Sequence, residues 1–201
     1  MLIPLFDLRI SAVLFIYNIF ARNYVTDPKK RSWLMSVPVT FIMSAVGIYE
    51  FVRPIDTTST ALSVFTTELL KDYMIVELFS EVLFNFKRIN MLETVMHHIF
   101  YMYFLDYMID HGHTGYVRPF FILELPTFIR SVGKIYPDYN SGSLFGVFFI
   151  LFRVIWPFIV VANVHAPHSL YYIPFAAIQA MHIYWMYGWI KKSLPQPDVH
   201  Y

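Results

Sequence analysis

Cysteine is missing from all 201 residues, which excludes disulfides, zinc–thiolate centres and thiol nucleophiles. Charge is scarce as well: Asp, Glu, Lys and Arg make up 14% of the chain, against about a quarter in soluble domains. The net charge of +1 gives no reason to expect nucleic acid as a partner. There is no N-x-S/T sequon, no internal repeat and no low-complexity run. P-loop, G-x-S-x-G and G-x-G-x-x-G motifs are absent. Histidine boxes are too few for a membrane di-iron enzyme. The H-x-x-x-x-D box of glycerolipid acyltransferases fails too, because Tyr103 stands fifth after His98.

What remains is oily. Hydrophobic residues make up 57% of the chain and aromatics 19%, with 20 Phe and 15 Tyr, and the mean hydropathy is +0.51. That balance points to a membrane protein, with aromatic rings at lipid-facing and interfacial positions. Crossing about 30 Å of hydrocarbon takes roughly 20 apolar residues. Segments 2–22, 33–52, 62–86, 92–109, 116–135, 143–164 and 170–190 qualify, the first weakened by Asp7 and Arg9. The N-terminus has neither a basic leading region nor an A-x-A cleavage site and reads as a retained helix, not a signal peptide. A soluble bundle would need a continuous charged face, and none of the segments shows one.

Basic residues set the expected orientation, since Lys- and Arg-rich short loops stay in the cytoplasm. One side carries Arg22, Lys29, Lys30, Arg31, Lys87, Arg88, Arg130, Lys134, Lys191 and Lys192; the other carries Arg53 and Arg118. The expectation is an all-α polytopic bundle of about seven transmembrane helices, with the N-terminus outside and the C-terminus cytoplasmic. It divides into a first helix and basic loop (1–28), a six-helix domain (29–192) and a cytoplasmic tail (193–201).

Ionisable groups in hydrocarbon cost several kcal/mol unless paired or hydrated, so they face the bundle interior. The third segment holds Glu68, Lys71, Asp72, Glu77 and Glu81, and the fourth holds Glu93, His97, His98 and Asp106. Glu124, Arg153, Gln179 and His182 follow on the last three. So many suggest a polar cavity lined by Asp72, His97, His98, Arg153 and His182. Glu93, His97 and Tyr101 share one helical face, while His98 is turned about 100° away. The two imidazoles therefore aim into different grooves and are poorly placed to chelate one metal. Entering from the cytoplasmic side, His97 lies about 8 Å deep, within reach of a water-soluble reactant. The plainer alternative is hydrogen-bonded packing. Glu124 and Arg153, near mid-bilayer on consecutive segments, are expected to pair with each other, whereas Lys71 and Asp72 point in different directions. His111, His113, His165 and His168 fall in outer loops, either as a metal or pH-sensing cluster or as inert surface residues.

The order of six short stretches resembles the TLC domain (the TRAM, Lag and CLN homology domain) over residues 29–192. "KKRSWLMSVPVTF" resembles its basic-Trp opening, "ELLKDYMIVEL" the segment around its aspartate, and "VMHHIF" its paired histidines. "FILELPTFIR" is similar to its Glu-containing helix, with Glu124 and Pro126 in place. "FFILFRVIWPF" resembles the F-x-x-R helix with Arg153, and "AIQAMHIYWMYGWIKK" the terminal helix with Gln179. The resemblance implies a multi-pass protein of the endoplasmic reticulum or a related endomembrane, concerned with lipid synthesis, transport or sensing. Ceramide synthases in that family transfer an acyl group from acyl-CoA to a sphingoid amine. Carried onto this chain, His97 and His98 become a catalytic pair. Asp72, Glu93, Tyr101, Glu124, Arg153, Gln179 and His182 become substrate-binding residues. A membrane lipid is the partner, acyl-CoA a co-substrate, and no metal or other cofactor is called for. The H-D-x-x-D segment that follows the histidine pair in ceramide synthases is absent, so the likeness is to the broader group. Two functions stay open: an acyl-CoA-dependent acyltransferase, and a non-enzymatic lipid-binding, trafficking or sensing protein. A channel or transporter is disfavoured by the lack of a repeat.

Overall fold

The computed structural model describes residues 8–25, 27–85, 95–164 and 172–193. These residues are helical almost throughout and include no strand. The α-helices are α1 (Leu8–Tyr24), α2 (Pro28–Leu34), α3 (Ser36–Phe51), α4 (Ala61–Asn85), α5 (His97–Asp110), α6 (Glu124–Ile135), α7 (Gly142–Phe148), α8 (Trp156–Asn163) and α9 (Tyr172–Ser193). Where described, each of the seven apolar segments expected from sequence is mostly helical. The basic stretch after the first is itself the short helix α2.

Two expected helices differ in detail, both because of proline. Segment 116–135 is not one α-helix: a 3-10 run over Arg118–Leu123 precedes α6. Pro119 and Pro126 have no N–H for the carbonyls four residues back, so the α ladder cannot run through both. Residues 142–163 do form one continuous helical rod, α7 to α8, but its middle turn, Phe149–Ile155, is π-helical. The Trp156 N–H donates to Leu151 O, five residues back, and Pro157 follows immediately. This rod has 22 residues and, among the described residues, is the one helix both long and apolar enough to cross a membrane. At 1.5 Å per residue it spans about 33 Å. Ile10–Ala21 and Ser36–Phe51 are apolar but shorter.

Many polar side chains lie inside the bundle, and many large apolar ones lie on its surface. Ser36, Thr40 and Ser44 on α3, and Ser63, Thr66 and Thr67 on α4, are buried, while Phe41, Ile48, Phe65, Phe79, Leu151 and Phe158 are exposed. Many of the buried hydroxyls donate to their own helix: Thr40 to Ser36 O at 2.5 Å, Thr67 to Ser63 O at 2.6 Å. Small residues satisfied in this way let helices approach closely without leaving polar groups unmet. A compact apolar centre, including Val39, Met43, Leu70, Leu105, Met108 and Phe121, joins α3, α4, α5 and the 3-10 run.

At one end, residues 52–60 form a strap over residues 112–118. Arg118, counted from sequence with the outer-side loops, is buried: it donates to Glu50 Oε1 at 2.5 Å and to Thr58 O at 3.1 Å. Ser59 donates to Gly112 O, and Ser63 shares a hydrogen bond with Thr114. Thr58, through hydroxyl and N–H, holds the Asp56 carboxyl below its ordinary range, helped by Arg118 nearby. At the other end the Arg130 guanidinium lies over the rings of Trp33 and Phe145, gathering α2, α6 and α7.

Candidate functional site

The first residues of α5 follow a π turn at residues 95–96, and the two histidines diverge from there. Their ring centroids are 5.4 Å apart, with planes at 78°. His98 is buried, and its Nε2–H donates to Glu77 Oε2 on α4 at 3.0 Å. The other Glu77 oxygen accepts from Ser36 at 3.3 Å, and Ser36 in turn meets the Tyr73 hydroxyl at 3.0 Å. His98 is thus held by a chain of polar groups from three helices. His97 is held differently. Its ring lies 4.5 Å from that of Tyr101 and 5.3 Å from that of Trp185, and its buried Nδ1 has no hydrogen-bond partner. An unmet polar atom in the interior costs about 1–3 kcal/mol.

His97 lines a groove of about 340 Å³ between α5 and α9, walled by Phe100, Tyr101, Ile178, Met181 and Trp185. The groove is partly open to the outside, and its rim residues Met96 and Tyr184 are each 57% exposed. Tyr101 and Ile178 also line a second, smaller cavity of about 100 Å³ among α5, the 3-10 run, α8 and α9. That inner cavity is apolar apart from a few groups such as Glu124 and Gln179.

Behind Trp185 lies the second polar centre. Arg153, in the π turn, donates through Nε to Leu123 O at 2.9 Å and through Nη2 to the Thr127 hydroxyl at 2.5 Å. Nη2 also lies 3.5 Å from Glu124, the pair expected from sequence. In an ordinary α-helix the N–H four residues on would satisfy the Arg153 carbonyl, but that residue is Pro157. His182 supplies the bond instead: its Nδ1–H donates to Arg153 O at 3.0 Å and to Gln179 Oε1 at 3.1 Å. Gln179 Nε2 donates to Val154 O at 3.2 Å, which fixes the amide's orientation.

The cavity expected around Asp72, His97, His98, Arg153 and His182 is therefore not one polar chamber. Of these five, only His97 lines the groove; Asp72 is buried on α4 and lines neither cavity. Tyr101 lines both cavities, and Glu124 and Gln179 line the inner one. Glu93, His165 and His168 lie outside the described residues. His111 and His113 stack at 6.2 Å, and among the described residues no three His, Asp or Glu side chains gather as a metal site. Compared with protein-family models, curated proteins and solved structures, the chain matches none.

Sequence reasoning left Glu77, Trp185 and Pro157 out of the site. Two of them had a readable signal: Trp185 is one helical turn after His182, and Pro157 stands four residues after Arg153. Glu77 had none, because its pairing with His98 depends on how α4 is rotated against α5.

Proposed function

We propose that this chain is an integral membrane protein of the TLC type that draws a lipid sideways into the groove between α5 and α9. The observation that carries the reading is His97: a ring with an unmet nitrogen, at the wall of an apolar groove open beside the bundle. The inverted distribution of polar and apolar side chains supports a lipid surround. Seven crossings with the basic ends in the cytoplasm complete the reading, supported by the gathering of Trp33, Arg130 and Phe145 at one end. By the resemblance, the membrane is that of the endoplasmic reticulum or a related compartment.

The chemistry that suits this site is acyl transfer from acyl-CoA. A lipid amine or hydroxyl attacks the thioester carbonyl and forms a C–N or C–O bond while the C–S bond breaks. His97 takes the proton from the attacking group and returns it to the departing thiolate. His98, tied to Glu77, holds the start of α5 so that His97 faces the groove. The apolar lining of the groove favours the second reading, a lipid carrier or sensor without turnover.

Labelled acyl-CoA supplied with mixed lipid acceptors separates them. The expected result is labelled lipid from the wild type, a loss of about a hundredfold in His97→Ala and a smaller loss in His98→Ala. Transfer that survives both substitutions removes the catalytic role. A lipid found by mass spectrometry in the purified protein, with no transfer, leaves the carrier reading.

A further inference from the structure

The His182 ring is completely buried, yet half of its hydrogen-bonding capacity is unused. Both oxygens at Nδ1, the Arg153 carbonyl and the Gln179 amide oxygen, are acceptors, so Nδ1 carries the proton. In a neutral imidazole the other nitrogen, Nε2, is then a bare lone pair, and it has no partner in the structure. The tautomer traces back to sequence: Pro157 leaves the Arg153 carbonyl free, and that carbonyl fixes the ring. Nearby charge does not call for an anion, because the Arg153 guanidinium is already occupied by Leu123 O, Thr127 and Glu124. His182 itself lines neither cavity, and its ring neighbour on the groove wall is Trp185. The Trp185 ring lies 5.3 Å from the ring of His97 and 5.9 Å from that of His182.

We infer that Nε2 of His182 is the docking point for a hydrogen-donating group, the hydroxyl or amine at the polar end of a lipid in the α5–α9 groove, reached when the Trp185 indole swings aside. The inference rests on the lipid reading and narrows it: the ligand's polar end must donate, so an alcohol or amine fits and an ether, ester or phosphate oxygen does not. A structural water could supply the same O–H, and the test distinguishes the two sources.

The probes are hexadecanol and hexadecyl methyl ether, which differ at the polar end by one donor, presented to the full chain in detergent and read by native mass spectrometry. The wild type is expected to retain the alcohol about tenfold better than the ether. His182→Asn keeps a donor for the Arg153 carbonyl, because the amide nitrogen takes the place of Nδ1, but has nothing at Nε2. It is expected to keep its melting temperature and bind both probes within about twofold. Preference that persists in His182→Asn overturns the inference. So does equal retention by the wild type, the outcome expected if a water already occupies Nε2. Failure of the wild type to hold either probe overturns the lipid reading and the inference together. The wild type alone gives a second measurement: in histidine-labelled protein the Nε2 nitrogen resonance of His182 is expected to shift on adding hexadecanol and not the ether. A resonance that ignores both, while the alcohol is bound, rejects the assignment.

Discussion

Arg153 and Glu124 are both buried, and each is satisfied by what surrounds it. Removing one member of such a pair is far worse than removing both, since the survivor keeps its charge and loses its partner. Arg153→Met should therefore lower stability by about 3–5 kcal/mol, read as thermal unfolding in detergent, and adding Glu124→Gln should recover much of that loss. A double variant no better than the single one would show that the backbone bond to Leu123, not the charge pair, is what matters. Lys71 and Asp106 make the contrast: they lie 2.8 Å apart, but the Asp106 side chain is 43% exposed and that of Lys71 13%, and breaking that pair should cost less. Sequence disclosed the Arg153–Glu124 pair because two opposite charges at similar depth on neighbouring segments have few other places to go. It disclosed the separation of the two histidines for a similar reason, the fixed rotation of about 100° per residue. The partner of His98 was hidden, because α4 offers several carboxylates and only packing selects Glu77.

Helices in this protein touch most closely where glycine lets them. A Cβ on Gly47 of α3 would sit 2.2 Å from the Ile122 backbone nitrogen, and one on Gly146 of α7 2.2 Å from the Trp189 ring of α9. The obstacles differ in kind: backbone cannot rotate away, whereas a side chain can be exchanged. Gly47→Ala is expected to destabilise by at least about 1–3 kcal/mol. Gly146→Ala should do so by a similar amount in the wild-type background and by much less beside Trp189→Leu, as a double-mutant cycle of melting temperatures would record. If Trp189→Leu gives no relief, α7 and α9 are not in contact there. At this scale the sequence was legible wherever apolar length alone decides: the described part of each apolar segment is mostly helical. It was misleading where proline edits the ladder. Pro119 and Pro126 were present in the expected fifth helix, yet only the pairing of the two explains the 3-10 run between them.

Across the described residues, buried hydroxyls and charges sit beside an apolar centre, while many Phe, Ile and Leu side chains lie exposed on the surface. The cysteine-free sequence makes the proposed orientation directly measurable, because any introduced thiol is unique. In sealed microsomes, whose outer surface is cytoplasmic, a membrane-impermeant maleimide is expected to label Lys134→Cys at once and Arg53→Cys only after detergent. The reverse order, or immediate labelling of both, would end the proposed topology. Composition is the source of the proposed lipid surround, and loop charge the source of the proposed direction. The groove could not be announced by either, since it depends on how α5 and α9 pack, and no residue pattern marks it.

With the groove on its α5 side, α9 is braced chiefly along the Gly142–Asn163 rod, through contacts such as Phe158 with Phe175, Arg153 with His182, and Phe145 with Trp189. Whatever fills the seam on its other flank acts as mortar. A guest present at about a hundred times its dissociation constant adds roughly 2.7 kcal/mol of cohesion. Harsh delipidation would accordingly yield a frailer protein than gentle extraction, and the strength of the fold would register whether the seam is tenanted.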